Sequence, residues 1–489
     1  MSHPPPPPHS QDNISDRPRF DSRQYQEHIL QRIKDNRERN ILVELDCGLG
    51  KRVITFKLVT EYFPETRFII TVNSSSSLQE TAQYLEEEYG GVDGLSVLSP
   101  RVQGRRRQQL LQDSRVVLCT PRVLANILKK GGFSSSDFEG LLINEVDTLL
   151  RRVGGHRVLI QPWSYLLEFF KENWIIGLSG TLRDDHIVFN QAQLQIRDEL
   201  QTLAKFLPNV ELISMDELRD TDLEQYIKYT ILDVIPVEDP VIRTTSIVVD
   251  ELIQSTRDQI YQMIRENSQQ SIGELPESTR MLHLMLHELP IPEELAQQYS
   301  GLLMTRKYLY GMASKSFRRY LHHPTIKSQI DISRMMQDWP KITPKSLKAR
   351  DLTLKAKRTI ILSSYLNVVS EIEELLQEKG VHTFQLTGRT PDKQAVLADF
   401  KQAKTPAAVI LSPVGERDLD LPDADLLIIC DTVNTVKTIY QKMKRSRGGR
   451  VSFLVYANTS EVGKLRRLLN NIMDRYPWST RYGDTSALY

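Results

Sequence analysis

Leu45-Asp46-Cys47-Gly48-Leu49-Gly50-Lys51-Arg52 is a phosphate loop with one position changed. It follows the apolar run Ile41–Leu45 and precedes a helical pattern over Val53–Tyr62. In that context, backbone N–H groups and a helix N-terminus face an anion, and the glycines Gly48 and Gly50 let it come close. Lys51 is placed to reach the outer phosphates of a nucleotide. The next position ordinarily carries Ser or Thr, whose hydroxyl binds magnesium. Here it is Arg52, whose positive charge ligates no cation and repels one, and which is a candidate instead to hold a phosphate in the loop.

Outward from this loop, short apolar runs recur at 41–45, 68–72, 116–119, 141–143 and 175–178. Helical patterns such as Ser77–Glu88, Pro121–Lys129 and Trp163–Lys171 separate them. Strands alternating with helices predict a parallel sheet with right-handed crossovers, here over residues 19–182. The same texture returns at 359–362, 407–411, 426–430 and 451–455, with helices predicted over Ser370–Lys379 and Lys393–Lys401. A second α/β domain is therefore expected over 323–475. Residues 183–322 read differently, with long helical patterns over Val249–Asn267, Ser278–Leu286 and Glu293–Tyr320 and one strand over Lys228–Val237. They predict a helical insertion domain. Residues 1–18 hold Pro4 to Pro8 and predict an extended, disordered tail, and 476–489 a C-terminal tail.

The second chemical signal is Asn144-Glu145-Val146-Asp147, at the end of an apolar strand. In a motor ATPase the first of these positions is an Asp that holds magnesium through water, and the second a Glu that polarises the attacking water. Asn144 is neutral and a poorer magnesium partner, so no metal ligand is expected there. Glu145 remains as a residual base.

The totals exclude several classes. In 489 residues, 40% are hydrophobic and 26% charged, as in ordinary globular protein. No apolar run of 18 residues or more is present, so no membrane helix is expected. The N-terminus lacks the apolar core of a secretory signal, and an intracellular protein of cytoplasm or nucleus is expected. Cys47, Cys119 and Cys430 have neither disulfide nor zinc spacing. The net charge is only +1, yet basic residues cluster at Arg105–Arg107, Lys341–Arg358, Lys442–Arg450 and Lys464–Arg467, where a nucleic acid is the expected partner.

These motifs resemble the superfamily-2 helicases of the Hef/FANCM type, motors that act on stalled forks. The resemblance covers about residues 19–475. Arg23-Gln24-Tyr25-Gln26 is similar to the family's adenine-side glutamine motif, with Gln26 as the glutamine. Cys119-Thr120-Pro121-Arg122 resembles its TP element on the nucleic-acid backbone, which implies Thr120, Pro121 and Arg122 as contacts, with Thr387 and Gly388 in the second domain. Leu178–Leu182 stands where the family couples ATP to DNA, and His323–Lys327 resembles the opening of its second motor domain. VGERDLDLP, Val414–Pro422, is close to VGEEGLDIP, with Asp418 for the glycine. Gln441 and Arg445 match the glutamine and first arginine of QRxGRTGR. Lys444 and Arg447 replace its two glycines, and Gly448 replaces the final arginine, which implies a lost γ-phosphate contact that Arg447 or Arg450 would have to supply. No nuclease signature or helix-hairpin-helix tail follows residue 475.

The resemblance implies two RecA-like lobes with a helical insertion between them. It implies ATP with magnesium as cofactors, held weakly, and branched or duplex DNA as partner. Three readings stand. One is a scaffold in DNA repair or fork processing with impaired or lost ATP hydrolysis, beside a nuclease or repair protein, as the XPF nuclease keeps an inactive helicase-like region. The second is a working DNA translocase. The third is a double-stranded RNA binder, since the RIG-I type and Dicer carry a helical insertion too.

Overall fold

The computed structural model describes residues 23–489 except 47, 88–89, 103, 132, 154–155, 183–184, 191–192, 268–290, 324–325, 327–337, 413–420, 433–435, 445–448 and 478–479. The expected helix Ser278–Leu286 and the motif Val414–Pro422, up to Asp420, fall outside the described residues.

Two seven-stranded parallel sheets carry the fold. The first runs, edge to edge, Val210–Ile213, Asn40–Glu44, Trp174–Ser179, Gly140–Asn144, Phe68–Thr71, Val116–Cys119, Leu95–Leu98. Successive residues of each strand point to opposite faces, so Ile41 and Val43 enter one core and Leu42 the other. A sheet covered on both faces needs apolar residues at nearly every position, which is why its strands read as continuous runs such as Phe68–Thr71. The second sheet runs His382–Leu386, Ala407–Leu411, Arg358–Leu362, Leu426–Ile429, Arg450–Tyr456, Thr230–Val237, Thr480–Tyr482. Ile360 and Leu362 face one of its cores and Ile361 the other.

Both sheets reach beyond the boundaries expected from sequence. Val210–Ile213 pairs with Asn40–Glu44 in the first sheet. The strand expected at Lys228–Val237 begins at Thr230, and it belongs to the second sheet rather than the insertion, pairing with Arg450–Tyr456. Its partner lies more than 200 residues away, a distance that local pattern does not report. The expected tail 476–489 contributes the edge strand Thr480–Tyr482, and Asp484 N–H donates to Asp233 Oδ1 at 2.8 Å. Residues Asp185–Asn190 and Gln193–Asp198 form an antiparallel hairpin inside the segment expected to be helical.

The insertion's long helices are Pro240–Asn267 and Glu293–Gly311, followed by Ser314–Leu321. The single pattern read over Glu293–Tyr320 is two helices, broken at Met312, which is extended. Gly311 ends the first of them against Tyr365. A β-carbon there would stand 2.2 Å from the tyrosine ring, so the close approach needs glycine. Val249, Ile253, Tyr299, Leu302 and Phe317 share one continuous core with Ile361, Ile428 and Leu454 of the second sheet. The insertion is thus an outgrowth of the second lobe.

Candidate nucleotide site and lobe contact

In the first lobe the phosphate loop leaves the strand Asn40–Glu44 at its C-terminal end and enters the helix Lys51–Lys57. Gly48 and Gly50 take φ of 82° and 84°, a region that costs a side chain and suits glycine. At Gly50 space adds a second demand, because a β-carbon would meet the Gln26 Nε2 at 2.4 Å. Gln26 is buried, and its amide donates to the Leu49 carbonyl at 3.3 Å, where the Tyr25 hydroxyl also donates at 2.7 Å. The glutamine motif therefore braces the loop's backbone. Burial raises the Tyr25 hydroxyl above its ordinary pKa and keeps it a donor.

Each charged group of the loop has a protein partner. Lys51 Nζ donates to the Leu45 carbonyl at 3.1 Å and lies 3.5 Å from Glu145. Glu145 sits just past the strand Gly140–Asn144 at φ 58°, an uncommon conformation for a side chain and one that recurs at functional sites. Arg52 points away from the loop mouth. Its guanidinium pairs with Glu80 at 3.2 Å and lies over the Tyr84 ring at 5.5 Å, both on the helix Ser75–Glu87. The expected repulsion of a cation by Arg52 is thus replaced by a plainer effect, the loss of a hydroxyl. Thr55 Oγ1 lies 3.4 Å from Asn144 Oδ1. Magnesium finds neither hydroxyl at 52 nor carboxylate at 144, and the residues present do not fit it. Among the described residues no cluster of three or more His, Cys, Asp or Glu is arranged to hold a metal.

The coupling element lies beside the loop. Ser179 Oγ donates to Asp147 Oδ1 at 2.6 Å, and Thr181 Oγ1 to Asp147 Oδ2 at 3.3 Å. From the second lobe, Gln441 Nε2 donates to Thr181 Oγ1 at 3.2 Å. One helical turn further on, Lys444 Nζ pairs with Asp46 at 2.9 Å, with both side chains almost fully buried. Gln394 of the second lobe donates to Glu80, the partner of Arg52. Lys444 was noted from sequence as replacing a signature glycine, but its pairing with Asp46 was not foreseen, and Glu80 and Gln394 were not singled out. The signal available was spacing, since Gln441 and Lys444 are three apart on the helix Val436–Lys444 and share a face.

The remaining expected residues divide into four groups. Thr120 precedes the helix Pro121–Leu128 at the end of the strand Val116–Cys119; Thr120 and Pro121 are buried and Arg122 is exposed. Thr387 and Gly388 form a turn after His382–Leu386, where the Thr387 N–H donates to Thr390 Oγ1 at 3.0 Å. Arg445, Arg447 and Gly448 lie outside the described residues. Arg450, offered from sequence as a substitute finger, is committed elsewhere. Its guanidinium binds the buried Asp233 carboxylate, at 3.0 Å for one bond, and that hydrogen bond raises its pKa.

Two RecA-like lobes meeting at a phosphate loop have the architecture of a superfamily-2 helicase core. Residues 19–184 match the family described as Type III restriction enzyme, res subunit, and residues 344–451 match the Helicase conserved C-terminal domain. Together these take in more than half of the chain. The second match starts at Pro344, inside the segment 323–475 expected as the second α/β domain. The chain belongs to the superfamily-2 helicases. Its fold is that of the Pyrococcus furiosus Hef helicase domain, with a TM-score of 0.59 at 16% identity, over 91% of this chain and 98% of that one. It is 18% identical over 466 residues, 88% of its own length, to a Methanocaldococcus jannaschii protein named as a candidate ATP-dependent RNA helicase. It is 22% identical over 214 residues, 43% of its length, to the ATP-dependent DNA helicase MPH1 of Eremothecium gossypii. The chain spans 58% of the first relative and 18% of the second. No described helix is long and apolar enough to cross a membrane.

Proposed function

We propose that this helicase-fold chain binds branched or duplex DNA as a repair or fork-processing scaffold, inside the cell, with ATP hydrolysis impaired or lost. The observation that carries the reading is the state of the magnesium positions. Arg52 is engaged with Glu80, and Asn144 stands where a carboxylate would be. Lys51 remains to support weak nucleotide binding, and Glu145 remains as a residual base, both without the metal's charge. In a working motor the missing cation would neutralise charge on the transferring phosphoryl, a large share of the electrostatic catalysis. Thr120, Arg122, Thr387 and Gly388 are the proposed backbone contacts. Arg106, exposed on the helix Gly104–Asp113, adds positive charge. A nuclease or repair protein is the proposed partner.

Steady-state phosphate release with saturating forked DNA tests the reading. Wild type and Lys51→Ala are expected to give equal, near-background rates. Robust turnover that vanishes in Lys51→Ala would restore the second reading, an active translocase, which is favoured by the contact of Gln441 with Thr181. A third reading, double-stranded RNA binding, is suggested by the helical insertion and favoured by the name of the archaeal relative. Binding to forked, duplex and single-stranded DNA and to duplex RNA at two salt levels separates these. Affinity for duplex DNA should fall with a slope near −0.9 per phosphate neutralised.

A further inference from the structure

Lobe closure in motors of this build is ordinarily driven by a ligand that bridges the two halves. Here the bridge is made of side chains. Lys444, on the second lobe, stands where the family's signature has a glycine and therefore no side chain. Its ammonium lies 2.9 Å from the Asp46 carboxylate of the phosphate loop and donates to the Lys228 carbonyl at 3.3 Å. Lys444 is 6% exposed and Asp46 3%. A charge pair out of water demands tight geometry, and either partner left alone there is strongly unfavourable. Separating the lobes would do just that unless both charges were rehydrated. Gln441 to Thr181 and Gln394 to Glu80 lie on either side and add directional bonds across the same gap.

We propose that the Asp46–Lys444 pair is a clasp that closes the two lobes without nucleotide, the Asp46 carboxylate supplying at the loop the negative charge that a bound phosphate would bring. The clasp makes the closed shape, and any nucleic-acid grip that depends on it, independent of ATP. It does not depend on whether the bound polymer is DNA or RNA, nor on the rate of phosphate release.

Small-angle X-ray scattering of the full chain reads closure directly. The wild-type radius of gyration is expected to stay the same when a non-hydrolysable ATP analogue and magnesium are added. Lys444→Ala is expected to enlarge it in the absence of nucleotide. The charge-swapped pair, Asp46→Lys with Lys444→Asp, is expected to bring it back, with circular dichroism confirming that each variant is folded. A wild-type chain that contracts on adding the analogue overturns the proposal, as does a folded Lys444→Ala chain of unchanged radius. If Lys444→Ala does not fold, Lys444→Gln replaces it: a long polar side chain without charge is expected to enlarge the radius, and an unchanged radius overturns the clasp. Phosphate release plays no part in this readout, so its failure and that of the scaffold reading are distinguishable.

Discussion

At the scale of single residues, the two changed magnesium positions were legible as substitutions, but their consequences were not. Arg52 at a serine or threonine position announces a lost hydroxyl. That its guanidinium would turn to Glu80 and Tyr84 depends on where the helix Ser75–Glu87 packs, which no local pattern reports. The Arg52–Glu80 pair is about one-third exposed on the arginine side. Arg52→Thr is therefore expected to change stability by only ~0–1 kcal/mol in urea unfolding; a loss several times larger would make Arg52 a structural keystone instead. The thiols give a pH-dependent test. Burial pushes Cys119 and Cys430 up from 9.0 to about 12. At pH 8 neither forms the thiolate that attacks Ellman's reagent, so at least two of the three thiols should stay unreacted in the native chain and all three should react in denaturant. Between those two pKa values the unfolded chain releases its thiol protons while the folded chain keeps them. The thiols' contribution to stability is thus fully present below pH 9.0 and declines as pH rises.

At the scale of elements, buried parallel strands were the easiest reading, since Phe68–Thr71, Val116–Cys119 and Ala407–Leu411 are apolar at nearly every position. The strands that escaped are edge or half-exposed ones. Leu95–Leu98 and Val210–Ile213 are only partly buried, and Thr480–Tyr482 has three residues at a sheet edge. Their membership comes from a partner far along the chain, so the boundaries near 182 and 475 were drawn through sheets. The insertion's helices were legible by period, and their break at Met312 was not. Gly311 was the available signal, because helices commonly end near glycine. Gly311→Ala adds a β-carbon 2.2 Å from the Tyr365 ring. It should destabilise the docking of Glu293–Gly311 on the second lobe by about 1–3 kcal/mol, the range for an overpacked core. Hydrogen exchange should then quicken in that helix first; an unchanged rate would mean that Tyr365 moves aside without cost.

At the scale of the whole molecule, the described apolar residues divide by lobe. The first sheet has a core on each face, and neither includes a residue of the second lobe. The insertion, by contrast, shares its core with the second sheet. Against that shared core lies a charge pair, Lys345 with Glu461, 2.7 Å apart and both buried. Lys345 also donates to the Tyr310 carbonyl of the insertion at 3.1 Å and to the Cys430 carbonyl of the second sheet at 3.2 Å. Glu461 accepts from the Tyr456 N–H at 2.9 Å and from Thr432 at 3.2 Å. One ammonium therefore ties helix to sheet, and removing it leaves a buried carboxylate without its counter-charge. Lys345→Met should cost about 3–5 kcal/mol. Adding Glu461→Gln removes the stranded charge while keeping an acceptor for Tyr456, so the double variant should recover part of that loss. Calorimetry is expected to show two transitions, one for the first lobe and one for the second lobe with its insertion, because polar contacts such as Asp46–Lys444 join the lobes where apolar cores do not. Lys345→Met should lower only the transition of the second lobe. If instead the chain melts in one step that shifts as a whole, the polar clasp couples the lobes as strongly as a shared core would. If the insertion melts apart from the second sheet, the common core is not a cooperative unit.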